Sequence, residues 1–514
     1  MDNFVKLKRL DDHARFHYSR HQAGVPTDLF LGVVLDTPLF NGDDEIAHNI
    51  LVKAAQYLLS QDRMLSAIPL EDGEEIFWAG ITSKLDVESL VSIDHCSKSF
   101  NNTSSRIEYI YNQYLSQHLT FDGNPLWKIV LNRGHSGEKD VLMVVISHVL
   151  ADGDSARRLI VKILDFIQSD KEKEDIPINT DGTFPIQHST TPPLALEDIF
   201  KRSVPLLKRI QINELSYLLS KYLPNWIYRF FYREDRVYYS RDNEKLQRFI
   251  PKLDVGIRVI ILPSLYAAAK SPLVASTASV NSVLSRLHDA AVCETSNHFK
   301  RLSTTKPDTP AQDNKSTIRF RSHTAVKIES PNNSFVDDFP GNSEYTEILS
   351  SDTIFWQSVA NYHQSIHNTP RSDTCYFPRP FIHHNNEILQ FIAKCVCNSS
   401  NLIQRIAQTY LSNIGPLFDS EYNRNQSHHN FLKISNSFAF GLTTPFFLPS
   451  VTFAISMNKM SDTTVSFSWR KDMVADEWVD HFETVLRRAA DRVVTQADNP
   501  YLNMTIKELV SLSQ

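Results

Sequence analysis

The sequence predicts an α/β (α+β) chain of two lobes, each a mixed sheet with flanking helices, joined by a helical connection. Three observations predict it. Short apolar runs bounded by turn residues alternate with amphipathic stretches of helical spacing over residues 28–168. The same alternation resumes at residue 317 and continues to the end of the sequence. Between the two lies SDKEKEDIPINTDGTFPIQHSTTPP, residues 169–193, a charged, Pro/Thr-rich stretch that reads as a linker. The boundaries that follow are an N-terminal lobe at 1–170, a linker and helical connection at 171–315, and a C-terminal lobe at 316–514.

Each element has its own signal. DLFLGVVLD, residues 28–36, is a short apolar run after Pro26 and reads as a buried strand. A helix is expected over 45–60, with Ile46, Ile50, Ala54, Tyr57 and Leu58 on one face. Strands are expected around 75–81 and 85–93. RIEYIYNQYLSQHL has helical spacing, with Ile107, Ile110, Tyr111, Tyr114, Leu115 and Leu119 as its stripe. PLWKIVLN and DVLMVVISHV are the next strands, and the second, apolar on both faces, should be central and covered on two sides. A helix follows, marked by Ala156, Leu159, Ile160, Ile163, Leu164 and Ile167. The middle, 196–235, reads as helical and partly basic, and a further helix, SVNSVLSRLHDAAVCETSN, begins near Ser279. RLSTTKPDTPAQDNKS after it is expected to be a disordered surface loop. No solenoid-type repeat is present.

Composition narrows the function. The 514 residues hold 53 Lys+Arg against 59 Asp+Glu, a net charge of −6, and 42% are hydrophobic. This is a globular balance with no overall basic field for nucleic acid, so no nucleic-acid partner is expected. The GxGxxG and GxxxxGKS/T fingerprints of nucleotide-binding loops are missing. Five scattered cysteines, Cys96, Cys293, Cys375, Cys395 and Cys397, fit reduced thiols rather than a disulfide framework, and the Cys395–Cys397 pair has no second CxxC to complete a zinc site. The first residues lack the apolar core of a secretory signal, and no run of 18 apolar residues occurs. A cytoplasmic location is expected. WIYRFFYR, residues 226–233, is readable as a membrane-surface helix at the endoplasmic reticulum or a lipid droplet, but better as a core helix with snorkelling arginines.

The chemistry concentrates in ISHVLADGDS, residues 146–155. Side chains alternate along a strand, so Leu142, Val144, Ile146 and His148 share a face, and His148 is the last inward residue before the chain leaves the sheet. Asp152 and Gly153 then open the next helix, giving H-x-x-x-D-G. An imidazole placed there suits proton abstraction at neutral pH, and Gly153 keeps a side chain out of a substrate's way. The plainer alternative makes Asp152 a helix N-cap and His148 a satisfied core histidine. His13, His17 and His21 lie four apart on a helical face, but no HExxH surrounds them, and no metal site is expected. His383–His384 and His428–His429 read as solvated, and no GxSxG elbow supports a serine hydrolase.

The segment resembles the HxxxDG signature of the CoA-dependent acyltransferase superfamily, which includes chloramphenicol acetyltransferase, plant BAHD enzymes, condensation domains and fungal alcohol O-acetyltransferases. NPLWKIVL at 124–131 is similar to the PLW strand preceding that signature in the fungal enzymes and wax ester synthases. LDDHARFHYSRHQAGVPTDLFLGVVL resembles the fungal opening, a short helix and tight loop before the first strand. SVNSVLSRLHDAAV, the FPGN at 339–342, which resembles the GN turn of several branches, LSNIG at 411–415 and the closing SVTFAISMNKMSDTTVSFSWRKDMVADEWVDHFETVLRRAAD also resemble family segments, in order along nearly the whole chain. The fungal alcohol O-acetyltransferases are the nearest branch.

The resemblance implies two chloramphenicol-acetyltransferase-like lobes with an active-site tunnel between them. It makes His148 the general base, with Asp152 and Gly153 structural at the site; the family's acid usually faces away from substrate and pairs with an arginine. Here Arg319, Arg321 and Lys327 are the candidates for that cation, and Ser147 stands where several branches carry another histidine. Ser412 and Asn413, or the hydroxyls of SFSW at 466–469, are candidate oxyanion or tunnel groups. The implied reaction transfers an acetyl or short acyl group from acetyl-CoA or another acyl-CoA, a co-substrate rather than a bound cofactor, to a small alcohol. An amine acceptor, or a non-catalytic binding protein that keeps the fold, are the alternatives. A monomer is expected.

Overall fold

In the computed structural model of the chain, five strands form one sheet, β-ladder partners on either side of an eight-residue central strand, and six form another. It describes residues 4–22, 27–169, 183–184, 237, 239, 255–304, 317–327, 340–350, 352–368, 409–418, 434–441, 450–456, 462–497 and 504–512, with short breaks, and for 317–327 and 340–350 the backbone only. Of the loop expected at 301–316, residues 301–304 are helical and the rest lies outside the described residues, as do the basic helical stretch at 196–235, most of the linker, Cys375, Cys395, Cys397 and the four histidines at 383, 384, 428 and 429.

The first lobe contains β1 (Phe4–Arg9), α1 (Asp12–Gln22), β2 (Asp28–Leu35), α2 (Asp44–Gln61), β3 (Ala67–Asp72), β4 (Glu75–Ile81), β5 (Leu85–Asp86), β6 (Val91–His95), α3 (Thr103–Tyr114), β7 (Trp127–Arg133), β8 (Asp140–Ser147) and α4 (Gly153–Gln168). After β9 (Thr183–Phe184) come β10 (Val255–Leu262), α5 (Leu265–Ala269), α6 (Val280–Thr304), β11 (Thr317–Lys327), β12 (Pro340–Ser350) and α7 (Phe355–Asn368). The chain ends with β13 (Thr409–Pro416), β14 (Ile434–Gly441), β15 (Ser450–Ser456), β16 (Thr463–Arg470), α8 (Asp476–Gln496) and α9 (Ile506–Val510).

The first sheet has the order β14-β2-β8-β7-β6. Every residue of β8 is buried, as its two-sided apolar pattern requires. Leu142, Val144 and Ile146 pack into a core with α2 and α4, which carry Leu51, Leu58, Leu159 and Ile163. Val141, Met143 and Val145 point the other way, into a second core with Ile107, Ile110 and Tyr111 of α3 and Val255, Ile257 and Val259 of β10. This second core joins the lobes. The second sheet, β10-β16-β15-β13-β11-β12, packs against α6 and α8 through Phe467, Leu287, Phe482 and Leu486.

The helix ends follow from their sequences. Asp43 caps α2 by accepting from the Ile46 amide at 2.9 Å, with Asp44 and Glu45 favourably placed in the first turn. Thr505 and Glu508 form a capping box on α9.

Four local expectations differ from the structure. The stretch at 85–93 is broken by a 3₁₀ turn at Glu88–Leu90, where Asp86 accepts from the Glu88 amide at 3.1 Å. Helix α3 stops at Tyr114, and Leu119, expected on its stripe, instead donates its amide to Asp28 Oδ2 at 2.8 Å. The FPGN segment is not a turn: Gly341 and Asn342 sit in β12, paired with Val326 and Ala325 of β11. The sheets also cross the linker-based lobe boundaries. β10, from the expected helical connection, is an edge of the second sheet, and β14, from the C-terminal lobe, pairs antiparallel with β2 of the first. There Phe438 lies opposite Gly32, and a Cβ on residue 32 would stand 2.5 Å from Phe438 Cζ and 2.8 Å from Met143 Cβ. Only glycine lets that ring lie across the strand.

Candidate active site

β8 delivers the site to the edge of the sheet. After Ser147 the chain makes one tight helical turn, in which the Ser147 carbonyl accepts from the amides of Leu150 (2.9 Å) and Ala151 (3.1 Å). The His148 amide donates to the Thr27 carbonyl at 2.8 Å, fixing the turn to the residue that precedes β2. The His148 ring is half-buried and lies flat on the ring of His17, with centroids 3.9 Å apart and planes 18° from parallel.

His17 arrives on α1, whose Arg15, His17 and Arg20 are all buried. Burial pushes the Arg20 guanidinium down to about 10. The helix is held by Tyr18, whose hydroxyl donates to Glu71 Oε1 at 3.0 Å and whose ring stacks on Phe121 at 4.8 Å. His21, one turn beyond His17, rests on Phe121 at 4.2 Å, with His118 at 5.5 Å. Its imidazole is pushed down to about 4, first by burial and then by His118. These histidines thus meet aromatic rings. Among the described residues no group of three or more His, Cys, Asp or Glu side chains converges as a metal site.

Asp152 is the N-cap of α4: its carboxylate accepts from the Ser155 amide at 2.8 Å, and its backbone is extended (φ −96, ψ −176). It is 6% exposed. Burial pushes its carboxyl up to about 6, against the pull of its Ser155 hydrogen bonds, while Asp154 pushes up and Arg158 pulls down. Arg158, the cation acting on it among the described residues, is from its own helix. Arg319, Arg321 and Lys327 lie on β11, whose side chains are outside the described residues.

Gly153 begins α4, and the space a Cβ would take there is filled by Ile414 of β13, whose Cδ1 and Cγ1 would both stand 3.3 Å away. In this structure the missing side chain admits a strand of the second sheet. Four residues along, Arg157 donates to the Leu417 carbonyl at 3.2 Å. The H-x-x-x-D-G segment and LSNIG are thus brought together across the two sheets, but through Ile414. Ser412 and Asn413 are half-buried on the same strand. Asn413 Oδ1 accepts from the Gly415 amide at 3.0 Å, stabilising a bulge in which Gly415 takes a φ of +87. That bond uses the oxygen and leaves the amide nitrogen as the group able to donate.

Beneath the turn lies a residue that the sequence reading passed over. Asp28 pairs opposite Ser147 at the start of β2, is fully buried, and accepts the Leu119 amide on Oδ2. Burial pushes its carboxyl up to about 7, with the Leu119 bond and Lys128 opposing. His17 and Ile414 were missed as well. His17 had a signal, its four-residue spacing from His13 and His21, but that spacing points equally to core packing.

No protein-family model matches the sequence, and no curated protein matches it. Solved structures do. The TRI3 trichothecene 15-O-acetyltransferase from Fusarium sporotrichioides matches over 96% of this chain and 96% of its own, with TM-score 0.59 and 11% identity. The condensation domain of the Monacolin K polyketide synthase MokA matches over 98% of this chain and 100% of its own, with TM-score 0.59 and 10% identity. A mutant starter condensation domain of the rhizomide synthetase RzmA, in complex with C8-CoA and Leu-SNAC, matches over 98% and 96%, with TM-score 0.55 and 11% identity. At such identities the likeness is one of fold: the chain has the two-lobed mixed α/β architecture of condensation domains and chloramphenicol-acetyltransferase-like acyltransferases.

Proposed function

We propose that this chain is an acyl-CoA-dependent acyltransferase that moves an acetyl or short acyl group to an alcohol hydroxyl, with His148 as general base. The observation carrying this reading is the position of His148, on the turn between the central strand of the first sheet and α4, one turn from the contact of Gly153 with Ile414. That turn leads into the contact between the two sheets, which supports His148 as the group that takes the proton. The fold shared with an O-acetyltransferase and with a domain holding C8-CoA supports the same chemistry.

In the proposed reaction the His148 imidazole accepts the hydroxyl proton as the alcohol oxygen bonds to the thioester carbonyl carbon. The tetrahedral oxyanion collapses, the carbon–sulfur bond breaks, and the CoA sulfur leaves with the proton from the imidazolium. The products are an ester and free CoA. Asp152 holds the first turn of α4, and so the loop carrying His148, in shape. The Asn413 amide nitrogen and the Ser412 hydroxyl are the candidate donors to the oxyanion. Acyl-CoA and acceptor approach His148 from opposite sides, because base, nucleophile and thioester carbon must each lie within about 3–3.5 Å of the next.

The test is thiol release from acetyl-CoA with a panel of alcohols and amines. His148→Ala should lower kcat/KM by roughly 10²-fold or more, with acyl-CoA binding little changed. Wild-type turnover by that variant removes His148 as base. A panel in which only amines react moves the acceptor class from alcohol to amine, a reading favoured by the Leu-SNAC held in the RzmA complex. No thiol release with any acceptor, together with retained acyl-CoA binding, makes the chain a binding protein.

A further inference from the structure

We propose that His17 is a positioning residue for His148: its ring is the platform that holds the base's imidazole in one plane. The proposal rests on the reading of His148 as general base.

A general base is useful only while its lone pair points at the proton to be taken, and small misalignments are expensive in rate. The backbone fixes only the origin of the His148 side chain, through the Thr27 carbonyl at 2.8 Å. Torsion about the Cβ–Cγ bond is broad for histidine, so the ring plane must be set by its neighbours. His17 sets it. At 3.9 Å and 18° the two rings are in van der Waals contact over their faces, and tilting one drives an edge into the other.

The platform itself is rigid. His17 is 5% exposed, midway along a helix, and the next residue, Tyr18, ties α1 to Glu71 on β3 and to Phe121. The contact consumes ring faces and leaves the nitrogens, which lie at the ring edge, in the plane where hydrogen bonds form. The stacking therefore calls for a planar side chain at 17, which phenylalanine also supplies.

The experiment compares His17→Ala, His17→Phe, His148→Ala and the double variant His17→Ala/His148→Ala in the full chain. Acetyl-CoA serves as donor with whichever acceptor of the panel reacts. His17→Ala should lower kcat about 10-fold with KM for acetyl-CoA unchanged, and His17→Phe should recover kcat to within about 3-fold of wild type. The double variant should be no slower than His148→Ala alone, since His17 acts only through the base. A second readout needs no acceptor. In proton spectra of the folded protein, the His148 ring resonance should move downfield in His17→Ala, where the shielding ring is gone, and stay upfield in His17→Phe.

Unchanged kcat in His17→Ala, equal losses in the alanine and phenylalanine variants, or additive losses in the double variant would each overturn the proposal. If no acceptor reacts, an unmoved His148 resonance in His17→Ala overturns it alone. Failure of the underlying reading has a different signature, normal turnover by His148→Ala.

Discussion

Asp28→Asn gives the sharpest test of the electrostatics beneath the site. The folded chain buries Asp28 completely and pushes its carboxyl from 3.8 to about 7. In the unfolded chain the group titrates near its ordinary value of about 4. Between these two values the folded state binds a proton that the unfolded state does not, so stability is fully present below about pH 4 and is lost as pH rises through about 7. Three units at about 1.36 kcal/mol each set a ceiling of about 4 kcal/mol, and relaxation around the site brings the expected figure to roughly 2–4 kcal/mol. Asparagine removes the ionisation and keeps a carbonyl oxygen to accept the Leu119 amide, now at 2.8 Å from Oδ2. Asp152, pushed up in the same direction, is present in both proteins and cancels from the comparison. Urea denaturation of wild type and variant at a series of pH values measures the difference. The variant should match wild type near pH 4 and exceed it by roughly 2–4 kcal/mol at pH 8. A constant offset across that range would show that Asp28 does not titrate in this window.

Two further outcomes follow from the packing. At about pH 4, where the buried carboxyl is protonated, Asp152→Ala should lower stability by about 1 kcal/mol through the lost cap, whereas Asp152→Asn, an equally good cap, should be near neutral in the same urea assay. This refines the sequence-based view that Asp152 is structural, because the visible role of the carboxylate is the Ser155 amide. Gly32→Ala should cost about 1–3 kcal/mol, since its methyl would meet Phe438 and Met143, and should speed protease cleavage near β14.

Much of this architecture was legible because its signals are local. β8 announces itself by eight consecutive residues without a surface-facing position, and α4 by a stripe that the structure buries residue for residue at Ala156, Leu159, Ile160, Ile163, Leu164 and Ile167. The start of α4 at Asp152 was legible too, because an N-cap candidate directly precedes the helical stripe, but the strand end was not: β8 stops at Ser147 and leaves His148, expected as its last inward residue, on the turn. What escaped depends on pairing between distant segments. Nothing within ISNSFAFG says that it will lie beside β2, and nothing within LSNIG says that Ile414, rather than Ser412 or Asn413, will meet Gly153. The pairing of His17 with His148 is of the same kind. Asp28 shows a further limit: an acid opening an apolar strand reads as a solvated boundary, and its burial opposite Ser147, with the Leu119 amide bonded to it, depends on segments distant in sequence.

The insertion of β14 beside β2 carries a consequence for biosynthesis. Strand β2 leaves the ribosome well before β14, and its outer edge finds its partner only when residues 434–441 have been made. About 400 residues separate the two, so at roughly 5–20 residues per second the edge waits for some tens of seconds. Throughout that interval a buried, apolar strand displays unsatisfied amides and carbonyls, the kind of template onto which other nascent chains add. The sheet containing β2 and β14 is thus begun well before it can be completed. The nascent chain should depend on a chaperone that shields this edge, and fragments ending before β14 should precipitate rather than fold.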